Sequence, residues 1–281
     1  MRDSGYTVIK IGGSILRDEA AYRTIARRLA AQLQRGPTWA VVSAAGGVTD
    51  ALERLACATD ARDPRIVLAQ QAEATGVRPE PHLEIELRRG VRELWSGRWD
   101  RLLAWGEQAS ASALRAHLAR EGVDVPVVEL APETPTAPGH AALVPGFYLR
   151  DGEGGVRCLP RGGSDISAVL VAIRLGARTV RFWKEGGGIR SAQGVVPEVD
   201  AATLLDRLAN SVRPLHPEAI RLATRWGIDL ILEDPFGQHA PTRVVSGPRS
   251  DRLQSFGSSR GAGQRVWWSG AFGASGDGGR G

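Results

Sequence analysis

The segment VIKIGGSIL, residues 8–16, combines the pattern of a buried strand with a lysine in its middle and two glycines at its exit. Lysine is almost never fully buried without a partner, so Lys10 requires an explanation. The chain has 36 Lys and Arg residues, and only Lys10 and Lys184 are lysines; both lie beside glycine clusters. An ammonium is a compact charge and a guanidinium a wide fork. The two lysines therefore indicate sites where only the smaller group fits, with a chance distribution as the alternative.

Around this segment, apolar runs of strand length alternate with segments of helix length. Such alternation is typical of a parallel sheet covered by helices on both faces. Asp50 and Glu53 resemble a capping box at one helix start. The predicted strands are residues 6–11, 39–44, 124–130, 142–151, 179–183, 229–234 and 241–245, and the predicted helices are 18–34, one after 46–50, an excursion over 60–100, 102–122, 162–177 and 216–227.

Glycine clusters follow several of these strands, and one leads directly into a helix. They are Gly12–Gly13, Gly46–Gly47, Gly162–Gly163 and Gly186–Gly188. Ligands of open α/β sheets bind outside the carboxyl ends of the strands, where glycine lets backbone N–H groups approach phosphate oxygens. Four clusters at corresponding places predict a phosphorylated ligand. The chain has neither a GxxxxGK[ST] loop nor a GxGxxG after the first strand, which disfavours a P-loop or dinucleotide fold.

Lys10, at the end of a predicted central strand, would stabilise charge on a transferring phosphoryl group. The alternative is a strand lysine that extends to the rim of the sheet. In LPRGGSDIS, the Arg161 fork fits a substrate carboxylate, and Asp165 can hold an ammonium or orient Lys10. The alternative is that Ser164 or Asp165 simply caps the helix that begins there.

Three more side chains are candidates for an amino-acid pocket. Glu107 lies among small and apolar residues in WGEQAS, where it would accept an ammonium or form an ordinary salt bridge. Ser43 and Thr49 offer hydroxyls on either side of a glycine turn, or serve that turn and the following helix cap.

Composition excludes several classes of protein. The net charge is +5, but the last 35 residues hold five Arg and two Asp and account for +3 of it, so no nucleic-acid function is predicted.

No apolar run has the length of a membrane span. Cys57 and Cys158 show no metal-ligand spacing, and a cytoplasmic location is expected. Residues 247–281 are Gly/Ser-rich, and we predict a disordered tail.

Seven segments occur in an order that resembles the catalytic domain of the aspartokinases, within the amino acid kinase family. The resemblance covers about residues 6–246 and rests on VIKIGGSIL, VVSAAGGVTD, LLAWGEQASASAL, VPGFYLRDGEG, LPRGGSDISAVLVAIRLGA, FWKEGGGIRSA and VRPLHPEAIRLATRWGIDLIL. It implies a three-layer αβα sandwich over residues 1–246 with a mostly parallel central sheet. An amino-acid-binding lobe of about residues 1–158 and a nucleotide-binding lobe of about 159–246 are expected. The implied reaction is MgATP-dependent phosphorylation of a side-chain carboxylate.

The resemblance also implies roles for individual residues. Lys10, Asp165 and Lys184 would act at the transferring phosphate, and no residue is assigned to a metal. Substrate-binding roles fall on Ser43, Thr49, Glu107, Arg161 and Ser164. Nucleotide-binding roles fall on Gly12, Gly13, Ser14, Lys184, Glu185, Ile189, Arg190 and Arg213.

The chain departs from the family pattern in the nucleotide loop. A loop usually similar to TDVDGVYTADP reads KEGGGIRSAQG here, so Glu185, Gly187 and Arg190 stand where Asp, Asp and Tyr are usual. Arg213 replaces an expected lysine, and we expect Lys184 to take over phosphate neutralisation. A glycine-rich tail follows in place of the family's paired ACT domains, so feedback inhibition through such domains is expected to be absent.

The leading hypothesis is therefore a kinase for the side-chain carboxylate of a free amino acid, with L-aspartate first and ATP and Mg²⁺ as cofactors. The alternatives are a kinase for another acidic amino acid in a specialised pathway, or a scaffold that binds nucleotide or amino acid without turnover. The family suggests a homodimer.

Overall fold

The computed structural model describes residues 4–58, 63–132, 134, 139–192, 194–208 and 214–246. Within these ranges the chain forms eleven strands and eight α-helices. The strands are β1 (Thr7–Ile11), β2 (Thr38–Val42), β3 (Ala141–Pro145), β4 (Tyr148–Arg150), β5 (Val156–Cys158), β6 (Thr179–Trp183), β7 (Arg190–Ser191), β8 (Gly194–Val195), β9 (Glu198–Asp200), β10 (Asp229–Glu233) and β11 (Thr242–Val245). The helices are α1 (Glu19–Leu33), α2 (Val48–Cys57), α3 (Pro64–Thr75), α4 (Pro81–Glu93), α5 (Asp100–Arg120), α6 (Gly163–Leu175), α7 (Ala201–Leu208) and α8 (Pro217–Trp226).

Seven strands form the main sheet in the order β3-β2-β1-β6-β10-β11-β9. All neighbouring pairs are parallel except β10 and β11. In this register Lys10 lies opposite Val41 of β2 and Phe182 of β6. The carboxyl ends of β1, β2, β6 and β10 therefore meet at one edge of the sheet, which is where ligands of open α/β sheets bind.

The alternation of side chains along β1 assigns its residues to two layers. Ile9 and Ile11 are buried in one apolar cluster together with residues of α1 and α5. Lys10 points to the other face, which α6 covers. Helices on both sides of a mostly parallel sheet confirm the predicted three-layer αβα sandwich.

The predicted helices match α1, α2, α5, α6 and α8, and the predicted excursion over 60–100 holds α3 and α4, while α7 is not predicted. The matches are best where the sequence carries clear signals at the ends of a helix. In α1, the Asp18 carboxylate accepts a hydrogen bond from the Ala21 N–H at 2.8 Å, as an N-cap should. Helix α6 lies between two glycines with positive φ, Gly162 at +86° and Gly176 at +68°. These left-handed positions favour glycine and fix where α6 begins and ends.

Three local predictions are wrong. The predicted strand 142–151 is two strands, β3 and β4, which belong to different sheets and are interrupted at Phe147, where φ is +68°. Residues 124–130 form one β-bridge, between Val127 and Leu143, in place of a full strand. Pro126 explains this, since proline cannot donate to a ladder and weakens strand pairing. Asp50 and Glu53 form no capping box, because α2 begins after Gly47, which makes no side-chain cap.

The described residues all belong to one compact unit, Met1–Gly247. The division into two lobes near residue 158 stays a prediction. The predicted disordered tail, residues 247–281, lies outside the described residues.

Among the helices of the described ranges, none is long and apolar enough to cross a bilayer.

Candidate active site

Lys10 occupies the centre of the sheet and is only 8% exposed. Its Nζ lies 3.0 Å from Asp165 Oδ1, and both side chains are at most 10% exposed. The strand alternation of β1 directs Lys10 towards α6, whose first turn carries Asp165. A buried ammonium requires a partner, and Asp165 is that partner.

Asp165 is shared between two cations. Lys184 Nζ lies 3.4 Å from its Oδ2, and the backbone N–H of His216 donates to the same oxygen at 3.1 Å. Burial by itself would raise the pKa of Asp165, but Lys10 and Lys184 lower that pKa to about 2. Lys184 also donates to the carbonyl oxygen of Pro214. Two ammonium groups on one carboxylate leave an excess positive charge at this point, which favours an anion.

A cleft of about 780 Å³ opens over these groups. Its walls carry four lysine or arginine side chains against two carboxylates, so the cleft is cationic. The lining residues are Lys10, Gly12, Gly13, Ser14, Arg161, Gly162, Asp165, Lys184, Glu185, Gly186, Gly187, Gly188, Arg190, Pro214 and His216.

Two glycine segments of the cleft are packed too tightly for any side chain. A Cβ on Gly13 would lie 2.7 Å from the carbonyl oxygen of Ala44. A Cβ on Gly188 would lie 2.5 Å from Thr242 Oγ1 and 2.8 Å from Val195 Cγ1. Real Cβ atoms do not approach so closely, which explains why both turns are glycine.

Arg161 lies on the rim of the same cleft as Lys10. Its side chain is 79% exposed and is held by two carboxylates of α2, at 3.5 Å from Asp50 Oδ1 and 3.6 Å from Glu53 Oε1. Exposed ion pairs are worth about 0–1 kcal/mol. These contacts therefore leave the guanidinium available to an anionic ligand.

Glu107 is buried, and it is not among the described residues that line the cleft. Burial raises the pKa of Glu107 to about 8, although the Ala44 N–H and the charge of Lys10 act in the opposite direction. Its Oε2 has no hydrogen-bond partner. The salt bridge considered as an alternative is wrong, because no cation of the described residues lies within 4 Å. Glu107 is a protonated acid with spare hydrogen-bonding capacity at neutral pH.

The remaining predicted residues divide into three groups. Ser43 and Ser164 are buried and Thr49 is half-buried, and none of them is among the described residues that line the cleft. The same holds for Ile189, whose N–H donates to Thr242 Oγ1 at 2.7 Å. Arg213 lies outside the described residues. The helix-cap alternative for Ser164 and Asp165 is wrong, since Gly162 caps α6.

Sequence reasoning missed three contributors to the site. His216 donates its backbone N–H to Asp165, and Pro214 accepts from Lys184. Arg17 lies 3.2 Å from Glu185 Oε1 and so connects the β1 turn to the nucleotide loop. The available signal was the dipeptide His216-Pro217, because a proline at the first helical position marks a helix start that can face a site.

The described residues offer no ready-made metal site. Nowhere in the described ranges do three or more His, Cys, Asp or Glu side chains gather as a metal site would require. Mg²⁺ is usually held by one or two carboxylates together with substrate phosphates. Mg²⁺ held by substrate phosphates would need no such cluster, and of the two carboxylates among the described lining residues, Asp165 already pairs with two lysines.

The chain belongs to the amino acid kinase family, whose pattern matches residues 5–234. Among curated proteins it is similar to an aspartokinase of Thermus thermophilus, with 27% identity over 267 residues. That alignment covers 84% of this chain and 58% of the relative. The chain thus spans little more than half the length of the relative it matches.

Solved structures agree with the fold. The aspartate kinase of Clostridium acetobutylicum gives a TM-score of 0.68 at 17% identity, covering 87% of this chain and 64% of that chain. Aspartokinase III of E. coli, in complex with lysine and aspartate, gives a TM-score of 0.67 at 19% identity, with 87% and 66% covered. The resemblance to the amino acid kinase family is confirmed.

Proposed function

We propose that this protein transfers the γ-phosphoryl group of MgATP to the side-chain carboxylate of a free amino acid, L-aspartate first. The observation that carries the proposal is the Lys10–Asp165–Lys184 cluster at the base of a cationic, glycine-lined cleft. Phosphoryl transfer depends on positioning and on electrostatic stabilisation of the phosphoryl oxygens. A cluster with one buried ammonium group, one partly buried ammonium group and one buried carboxylate supplies both.

In this reaction a carboxylate oxygen of the substrate attacks the γ-phosphorus, and the bond to the β–γ bridging oxygen breaks. ADP leaves, and the product is 4-phospho-L-aspartate. Lys10 contacts the transferring phosphoryl group, and Asp165 holds Lys10 and Lys184 in place. Gly13 and Ser14 present backbone N–H groups to the phosphates. The N–H of Gly12 donates to the Trp183 carbonyl oxygen at 3.1 Å, so Gly12 contributes the space that a residue without a side chain leaves for the phosphates.

The proposed amino-acid pocket binds both charged groups of a zwitterionic amino acid. Arg161 binds the α-carboxylate as a fork, and Glu107 receives the ammonium. Ser43, Thr49 and Ser164 complete the pocket. A free ammonium separates this substrate class from N-acetylated amino acids and from nucleoside or isoprenoid phosphates.

The proposed nucleotide site uses the loop after β6. Lys184 neutralises phosphate charge, and Mg²⁺ arrives bound to ATP. Glu185, Ile189, Arg190 and Arg213 contact the nucleotide. The two-lobe division, a homodimer and a cytoplasmic location belong to the same proposal, on family resemblance alone.

Hydroxylamine trapping tests the proposal. The protein is incubated with MgATP, hydroxylamine and, in turn, L-aspartate, L-glutamate and other acidic amino acids, and any acyl phosphate is collected as a hydroxamate. Hydroxamate with L-aspartate supports the proposal, and hydroxamate with another acid alone corrects the substrate. ATP binding without hydroxamate from any acid contradicts it.

A binding protein without turnover is the second candidate. The observation in its favour is the loop KEGGGIRSAQG, in which Glu185 is paired with Arg17 at 3.2 Å. Such a protein would bind MgATP or an amino acid and form no ADP. The buried cluster around Asp165 argues for the kinase, because a binding site alone does not require two lysines on one carboxylate.

A further inference from the structure

A second cavity, of about 430 Å³, shares none of its described lining residues with the cleft. It lies between α4, α5 and the segment around β3, the edge strand of the sheet. Its volume is in the range of small-molecule pockets. On α5, the lining residues Gln108, Ser112 and Arg115 follow the helical period and form one polar face.

Gln108 leaves a buried acceptor in this cavity. The residue is 8% exposed, and its Nε2 donates to Glu129 Oε1 at 3.0 Å. Its Oε1 has no hydrogen-bond partner. Turning the amide over would place Oε1 against a carboxylate oxygen, so the bond to Glu129 fixes the orientation. An unmet buried acceptor costs about 1–3 kcal/mol, and a ligand with N–H donors would remove that cost.

Donors from neighbouring residues already occupy the Glu129 carboxylate, so it does not bind a ligand itself. Its carboxylate accepts from Arg150 Nε at 2.8 Å and from the Tyr148 hydroxyl at 2.5 Å, besides Gln108. These donors lower the pKa of Glu129 in spite of its burial. Glu129 therefore holds the Gln108 amide in place.

The other charges complement a zwitterion. The Glu80 side chain is half-exposed, and its Oε1 accepts a hydrogen bond from the Ser112 hydroxyl at 2.7 Å. The Nδ1 of His82 lies 3.5 Å from Glu80 Oε2. The Arg115 side chain is 46% exposed and pairs at 3.4 Å with Asp124, whose side chain is 84% exposed. Glu86, by contrast, is neutralised by Arg101 at 2.7 Å.

We propose that this cavity is a second small-molecule site, which binds a free amino acid. The ammonium group lies between Gln108 Oε1 and the Glu80 carboxylate, and the α-carboxylate binds the Arg115 guanidinium. This binding does not depend on the proposed kinase reaction, because the two cavities have separate walls.

Isothermal titration calorimetry on the full chain tests the site. The probes are the neutral and basic L-amino acids, with methylamine and acetate as single-charge probes. All titrations use an Arg161→Ala background with saturating MgAMP-PNP, which removes the cleft as a competing site. At least one amino acid is expected to bind with one site, about tenfold or more tighter than methylamine or acetate.

Glu80→Gln and Arg115→Ala are each expected to weaken that binding by about tenfold or more. Both side chains are half-exposed, so the variants should fold, and a thermal melt checks this. Glu84→Gln and Arg92→Ala are matched controls on α4 outside the cavity and should bind as the parent does. Binding that is unchanged in Glu80→Gln and Arg115→Ala overturns the proposal. So does the absence of heat with every amino acid up to about 10 mM, or a crystal structure at that concentration with ordered water only.

Discussion

The Nζ of Lys10 lies 3.0 Å from Oδ1 of Asp165, and this contact joins the central strand β1 to the first turn of α6. Both side chains are almost fully buried. Since removal of one partner from a buried pair leaves an unpaired charge, this contact matters for the fold as well as for any chemistry above it.

Lys10→Met should strongly reduce phosphoryl transfer, and Lys10→Arg, which keeps the positive charge, should not restore it. The guanidinium is too wide for a position beside Gly12, whose added Cβ would already lie 3.2 Å from the Trp183 carbonyl. We expect a loss of about 10²-fold or more in kcat for both variants. Steady-state assays of ADP release measure it.

Arg157→Ala is the control for that loss, because Arg157 is an exposed residue of β5 away from the cleft lining. It should keep wild-type kcat. Full activity in Lys10→Met would remove Lys10 from the reaction.

Asp165 should make the protein sensitive to acid. Its pKa is about 2 in the folded chain against an ordinary 3.8, so its charge stabilises the fold above about pH 4. This contribution, about 2 kcal/mol, is lost as the pH falls from about 4 towards 2. Urea unfolding of the wild type across this range should show the loss.

Asp165→Asn should lack this part of the pH dependence and be less stable at neutral pH by about 3–5 kcal/mol. Asp124→Asn, at a side chain that is 84% exposed, should retain the wild-type dependence. An identical pH profile in Asp165→Asn and the wild type would contradict the assignment.

The ionisation of Glu107 should make substrate binding depend on pH. Burial raises its pKa to about 8, so the carboxyl group is protonated at pH 7. If it receives the substrate ammonium, it must ionise, and L-aspartate binding at pH 7 should release up to one proton. Affinity should therefore rise as the pH increases towards 8.

Calorimetry in two buffers of different ionisation enthalpy measures this release. Glu107→Gln should bind aspartate more weakly and release no proton. Equal heats in both buffers for the wild type would show that Glu107 does not meet the ammonium.

Gly13→Ala should reduce both stability and nucleotide binding, because the new methyl group would lie 2.7 Å from the Ala44 carbonyl oxygen. Overpacking of this kind costs about 1–3 kcal/mol. Gly152→Ala, where an added Cβ has nothing within 4 Å, should change stability by less than about 0.5 kcal/mol. Urea unfolding and the KM for ATP compare the two, and equal stability would refute the close approach.

Much of the fold followed from local pattern. The apolar run of β1 and the glycines that flank α6 are local patterns of a few residues. They were therefore enough to predict the strand β1, the helix α6 and the two ends of that helix. The segment 124–130 was mistaken for a strand because its apolar content outweighed Pro126 in the pattern. Whether that segment joins a ladder depends on β3, which is remote in sequence.

The site was predictable in its residue types but not in its connections. The two lysines stood out by their rarity, and the shared carboxylate of Asp165 places them together. The Asp165 contact with the His216 N–H joins residues 51 positions apart, and no spacing rule predicts it. The same holds for Gln108 and Glu129, whose bond depends on the packing of α5 against the sheet edge.

Isotope transfer tests the central claim most directly. L-aspartate carrying ¹⁸O in its side-chain carboxylate is incubated with MgATP, the protein and hydroxylamine, and the released phosphate is read by ³¹P NMR. Attack of the carboxylate on the γ-phosphorus, followed by hydroxylamine attack on the acyl carbon, predicts phosphate with one ¹⁸O, and none with Lys10→Met. Release of phosphate without ¹⁸O would contradict phosphorylation of the carboxylate.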